Sequence, residues 1–211
     1  MALYSKENIS LGTQLGIWKK EEPIDLLESV YLLNSDEEKE FAQITNHNRK
    51  KEWLTTRILL TELLEKRVTI LHNKNRKPYL KSHNSNITIS HSRNFVAIIV
   101  SANYYAGVDV EHIATRAAKV KHKFLNKTEL TWCKSLEQIT ACWSAKESIF
   151  KIYEKELDFY DMEVAPFTLN TDGGSFKTKV IKAGKEADYM VKYRQIEDDI
   201  LTYALAKSAI G

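Results

Sequence analysis

Glycine is scarce and scattered. The chain has 7 glycines in 211 residues, and nowhere do they gather into a phosphate-cradling loop, which argues against a P-loop or dinucleotide-binding fold. Cysteine is rarer still. Cys133 and Cys142 have no metal-ligand spacing and read as free thiols of a reducing compartment. Charge of one sign does not dominate: 31 Lys and Arg stand against 28 Asp and Glu, a net +3, so the sum alone implies no polyanionic partner. Basic residues alternate with acids and no aromatic platform is evident, which speaks against nucleic acid. Long apolar runs are missing too. Stretches such as 95–100 fall far short of the roughly 20 residues a membrane span needs. The opening residues 1–7 lack the basic-then-apolar layout of a signal peptide. A cytoplasmic protein with no membrane partner is expected.

What remains is a globular composition, 43% hydrophobic and 28% charged, with length enough to bury a core without staples. Alternation predicts an opening strand over 11–18. A short helix is expected over 24–33. Asn34, followed by Asp36, Glu37 and Glu38, reads as a helix cap with acids in the first turn, so a helix over 36–45 follows. A strong helix spans about 48–66. Arg57 shares a face with Trp53 and Leu64. It reads either as a snorkelling arginine or as an anion contact. Residues 72–81 form a basic turn. Residues 86–92 and 95–100 read as a hairpin of strands joined by Ser92-Arg93-Asn94. The Ser90-His91-Ser92 trio has no carboxylate nearby, so it is no hydrolase triad.

Two stretches carry charge where apolar residues belong. In the first, Ile139, Cys142, Trp143, Ile149, Phe150 and Tyr153 recur as one helical stripe over 137–154. Lys146 occupies the middle of that stripe, with Glu147 and Lys151 beside it. Buried charges are costly unless paired or bound to a ligand. In the second, Gly107-Val108-Asp109-Val110-Glu111 alternates as a strand and places both carboxylates on one face, about 6–7 Å apart between Cα atoms. The plain reading is a solvated face of an edge strand. The alternative is a hard-cation site, since Mg²⁺ takes one or two carboxylates plus substrate phosphates. The basic run from His112 to Lys127 reads as a solvated helix face or as a docking surface for an acidic protein. A short helix opens near Asn126, Lys127, Thr128 and Glu129. Strands close the chain at 164–169, 176–181, 189–193 and 201–206. Trp53…Arg57 and Trp143…Glu147 echo one another, which points to two similar α+β halves, 1–103 and 104–211. In each half a small, mostly antiparallel sheet would carry one long packed helix, the two related by a pseudo-twofold.

Acids and bases together suit a metal–phosphate site. Lys77-Pro78-Tyr79, Ile89-Ser90-His91-Ser92, Gly107-Val108-Asp109-Val110-Glu111, Phe124-Leu125 with Glu129, and Trp143-Ser144-Ala145-Lys146-Glu147 with Lys151 occur in one order over about 49–151. In this the chain resembles the 4′-phosphopantetheinyl transferases, specifically the monomeric two-half type that activates carrier proteins. The resemblance implies that Asp109, Glu111 and Glu147 coordinate Mg²⁺, and that Lys151 and Lys146 contact coenzyme A phosphates. It also implies that Ser90 and His91 hold the 3′-phosphate region, that Lys77 and Pro78 line the adenine side, and that Arg57 and Arg49 belong to the nucleotide pocket. An acidic acyl or peptidyl carrier protein would dock on the basic run. Glu147 is the first candidate for the base that takes the carrier serine's proton, and Glu129 the second. One departure stands out: Arg76 occupies the place before Lys-Pro where the family usually has Gly. Two rival readings are a non-catalytic carrier or nucleotide binder of the same fold and an unrelated Mg²⁺-dependent nucleotide phosphotransferase.

Overall fold

The computed structural model describes residues 2–153 and 157–207. The final residue of the helix expected over 137–154 lies outside them. The protein is α+β, with two antiparallel sheets and a long helix packed on each.

The first sheet has the strand order β1-β2-β6-β5, with β1 Leu3–Ser10, β2 Thr13–Lys19, β5 Asn86–His91 and β6 Phe95–Ser101. Between β2 and β5 the chain forms α1 (Ile24–Val30), α2 (Ser35–Ala42), α3 (His47–Leu64) and a two-stranded ribbon of β3 (Ile70–His72) and β4 (Pro78–Leu80). Helix α2 starts at Asn34, whose side chain accepts from the Asp36 and Glu37 amides while Glu37 reaches back to the Asn34 amide.

The second sheet has the order β7-β11-β10-β9-β8: β7 Tyr105–His112, β8 Met162–Val164, β9 Gly174–Lys182, β10 Lys185–Ile196 and β11 Asp199–Ala206. Helices α4 (Thr115–Val120), α5 (Glu129–Trp132) and α6 (Leu136–Tyr153) lie between β7 and β8.

Alternation along β6 explains the layering. Val96, Ile98 and Val100 face α3, together with Leu54, Ile58 and Leu59. Phe95, Ala97 and Ile99 face the other way, into a cluster with Leu15 and Ile17 of β2, Val108 and Val110 of β7, and Leu201 of β11. The two sheets therefore share an apolar layer. A third cluster seats α6 on the second sheet through Ile139, Cys142 and Ile149 against Val191 and Ala204. Cys133 and Cys142 are both free and buried, their sulfurs 3.7 Å apart.

The structure departs from the sequence reading in three places. Strand β1 lies ahead of the expected opening strand: none of its residues is buried, so it carries no apolar stripe. The strand expected over 164–169 is only Met162–Val164, after which the chain is irregular through Pro166. The carboxylate face of β7 is not solvated: Asp109 is 4% exposed, because α6 covers it.

Candidate active site

The site begins with a glycine. An added Cβ at Gly107 would stand 1.7 Å from the Ser148 carbonyl oxygen, so α6 runs almost against the β7 backbone. Ser144 and Ser148, both fully buried, keep it there. Their hydroxyls meet Thr202 Oγ1 at 2.9 and 2.7 Å, and Thr202 is the register partner of Asp109 across β7 and β11. Small residues at this seam bring Glu147 and Lys151 over the acidic face of β7.

Lys151 Nζ lies 2.9 Å from Asp109 Oδ1 and donates to the Val108 carbonyl at 2.8 Å. Ser90 Oγ donates to the same Asp109 Oδ1 at 2.8 Å. Asp109 Oδ2 is buried and has no hydrogen-bond partner among the described residues. Trp143 Nε1 donates to Glu111 Oε1 at 3.1 Å.

The electrostatics record the crowding. Burial, and then the Asp109 charge, push the Glu111 carboxyl up to about 7, against the opposing Trp143 hydrogen bond. The same two causes push Glu147 up to about 6. Like charges so placed each favour the neutral form of the other. Among the described residues no three acids or imidazoles close around a single point. Even so, an unpartnered buried carboxylate oxygen with two raised glutamates beside it is an all-oxygen donor set, which suits a hard divalent ion.

Lys146 and Glu129 form a pair away from this centre, so Lys146 pairs with a buried carboxylate, one of the two roles its place in the apolar stripe allowed. Lys146 is fully buried. Its ammonium donates to Glu129 Oε2 at 2.7 Å, to the Phe124 carbonyl at 2.7 Å and to the Phe159 carbonyl at 3.2 Å, which uses all three of its protons. It has none left for a phosphate. Glu129 is 1% exposed. Its Oε2 also accepts the Asn126 amide and its Oε1 the Val164 amide, both at 2.7 Å. It cannot receive a proton from an incoming serine. The pair ties α5, α6 and β8 together.

A cavity of about 500 Å³ opens on the far side of β5, lined by Arg49, Arg57, Arg76, Pro78, His91 and others. Arg57 reaches this wall with its charge already committed. Its guanidinium stacks 3.2 Å from the Trp53 ring centroid, sits 3.2 Å from Glu40 Oε2, and is 6% exposed. Burial lowers the His91 pKa, while Glu52, 3.7 Å from Nδ1, opposes this. Ser90 does not share the cavity with its neighbour. Successive strand residues face opposite ways, so His91 lines the cavity and Ser90 turns in to Asp109.

A second cavity of about 270 Å³ has Arg76, Lys77 and Pro78 on one wall, and Phe150 and Lys151 on another. Arg76, Pro78 and Ile89 line both cavities, so the basic pocket and the pocket at Lys151 are neighbours. Arg76 has φ +62°, the left-handed region that costs a non-glycine residue about 1–2 kcal/mol. Asn73 imposes it. Its Oδ1 accepts from the Asn75 and Lys77 amides at 2.9 and 3.0 Å, and its carbonyl accepts from the Arg76 amide at 2.8 Å. Lys77 Nζ lies 5.7 Å above the Tyr105 ring.

Sequence reasoning missed Ser90 and Trp143 as holders of Asp109 and Glu111. The strand period was the available signal for Ser90. For Trp143 there was none. The basic run after β7 presents Arg116, Lys119, Lys123 and Lys127 to solvent, with Phe124 and Leu125 buried beneath.

No curated protein matches the chain. Residues 105–205, from β7 through β11, match the family model of the 4′-phosphopantetheinyl transferase superfamily. That segment carries Asp109, Glu111, Glu147 and Lys151, while Arg49, Arg57, Lys77 and His91 lie before it. The half of the chain that holds the acidic centre is thus similar to the 4′-phosphopantetheinyl transferase superfamily.

Proposed function

We propose that the protein transfers 4′-phosphopantetheine from coenzyme A to a serine of an apo acyl or peptidyl carrier protein, as a single chain and with Mg²⁺, releasing 3′,5′-ADP. The observation that carries this reading is the adjacency of two cavities. A basic one neighbours a smaller one that reaches Lys151, at the edge of three carboxylates, two of them raised by burial and by the Asp109 charge.

Asp109, Glu111 and Glu147 would hold the Mg²⁺, with Asp109 Oδ2 as the open ligand. When bound, the ion neutralises charge on the coenzyme A pyrophosphate. The chain's own residues do the rest. Arg49, Lys77, Pro78 and His91 receive the adenine nucleotide, and Arg57 stiffens the wall behind it. Lys151, at the mouth of the smaller cavity, meets the developing charge on the pyrophosphate. The carrier serine oxygen bonds to the β-phosphorus, and the bond to the bridging oxygen breaks. The serine proton passes to Glu147, whose carboxyl lies within electrostatic reach of both Asp109 and Lys151. The exposed lysines and Arg116 beyond β7 form the surface for an acidic carrier.

The test is incubation with coenzyme A, Mg²⁺ and several apo carrier proteins, followed by intact-mass measurement. A gain of one phosphopantetheine per carrier, with 3′,5′-ADP in the supernatant, is expected. No gain on any carrier would sink the reading.

A further inference from the structure

Arg76 is held in a strained conformation and, with Pro78 and Ile89, lines both cavities. The Asn73 turn sets its φ at +62°, where glycine would sit without strain. Its side chain is exposed and makes no hydrogen bond or ion pair among the described residues. The turn brings it from the first sheet's half to the wall facing Phe150 and Lys151 of α6.

Lys77 shares the smaller cavity, its ammonium above the Tyr105 ring, while three other cations nearby are differently placed. Arg57 is committed to Glu40 and Trp53, Lys151 leans on Asp109, and Arg49 lines only the larger cavity. A backbone outlier kept at a cleft is a pointer to function rather than to packing. An arginine is also suited to a phosphate, because its planar fork donates two parallel hydrogen bonds to oxygen.

We infer that Arg76 is a ligand-binding residue of this chain, clamping the pyrophosphate of coenzyme A from the side opposite Lys151. The inference rests on the transferase reading for the identity of the ligand. Its observable is binding, not turnover. The glycine of Arg76→Gly accommodates the left-handed φ, so that variant folds, and the Arg76→Lys variant keeps the charge without the fork.

The experiment is calorimetric titration of wild type and both variants with coenzyme A and, separately, with 3′,5′-ADP, which lacks the pyrophosphate. Arg76→Gly should weaken coenzyme A binding roughly tenfold or more, as loss of a charge-assisted contact does. The shift for 3′,5′-ADP should stay within about twofold, Arg76→Lys should fall between, and the melting temperature should not drop. Unchanged coenzyme A affinity in Arg76→Gly, or equal weakening for both ligands, overturns the inference. A wild type that binds coenzyme A yet modifies no carrier overturns the transferase reading and leaves this one standing. A wild type that binds neither ligand overturns both.

Discussion

Lys151 and Ser90 share one oxygen of Asp109. The ammonium stands 2.9 Å and the hydroxyl 2.8 Å from Oδ1, which leaves Oδ2 buried and bare. One oxygen therefore fixes the carboxylate and the other has no partner among the described residues. Asp109→Asn keeps the shape, removes the charge and weakens the open donor. Transfer should fall roughly 100-fold or more, because charge stabilisation by a bound ion contributes several kcal/mol, while circular dichroism stays that of wild type. Chelation by EDTA should abolish transfer in wild type, and added Mg²⁺ should restore it. A variant at near-normal turnover would remove Asp109 from the ion site.

The two raised glutamates predict an inverted pH dependence of stability. Without a cation, Glu111 holds its proton to about 7 and Glu147 to about 6, against an ordinary 4.5. Between those values these two sites bind more protons in the folded than in the unfolded chain, so their contribution to stability falls as pH rises from about 4.5 toward 7. A divalent ion favours the ionised carboxylates and adds stability through binding. Melting temperatures in EDTA should therefore decline over that range, and millimolar Mg²⁺ should make the decline shallower. Glu111→Gln should flatten the EDTA curve. Identical profiles with EDTA and with Mg²⁺ would refute the ion assignment.

Lys146 and Glu129 form a fully buried pair whose role is structural. Lys146→Met leaves the Glu129 charge without its ammonium partner, a change that costs about 3–5 kcal/mol in buried pairs. A large drop in the urea midpoint is expected. Transfer per folded molecule, assayed at low temperature, should stay near wild type. Loss of transfer in a stably folded Lys146→Met protein would return Lys146 to the phosphate site.

The long helices, the hairpin and the acid-bearing strand were legible because each repeats one period over many residues. The carboxylate pair on β7 was legible as well, by alternation. Its burial was not, because nothing within residues 105–112 says that α6 lies over them. Lys146 stood out as a charge in an apolar stripe, yet its partner Glu129 sits on another helix and only packing joins them. Arg57 was visible on the inward face of α3, but Glu37 and Glu40, which claim its charge, come from α2. Ser90 and His91 were read as a pair because they adjoin in sequence. A strand sends adjacent residues to opposite faces, so the pair serves two different places. Arg76 was noticed only as a missing glycine. The left-handed turn that Asn73 builds around it is a property of the folded loop.

Two glycines separate the cost of packing from the cost of misplacement. At Gly107 a Cβ would meet the Ser148 carbonyl oxygen at 1.7 Å, a backbone atom that cannot turn aside. Gly107→Ala must push α6 outward, and with it Glu147 and Lys151 away from Asp109. A shift of about 1 Å at a reacting group can cost on the order of 100-fold in rate, and overpacking itself costs about 1–3 kcal/mol. At Gly16 an added Cβ would meet Leu59 Cδ1 and Leu63 Cδ2, both at 2.9 Å, the far ends of flexible side chains on α3. Gly16→Ala should therefore lower the melting temperature while transfer persists. Gly107→Ala should lose both, and should also bind Mn²⁺, a paramagnetic stand-in, more weakly by spin resonance. If the two variants lose stability alike and both keep wild-type transfer, the close approach of β7 and α6 is not what aligns the acidic centre.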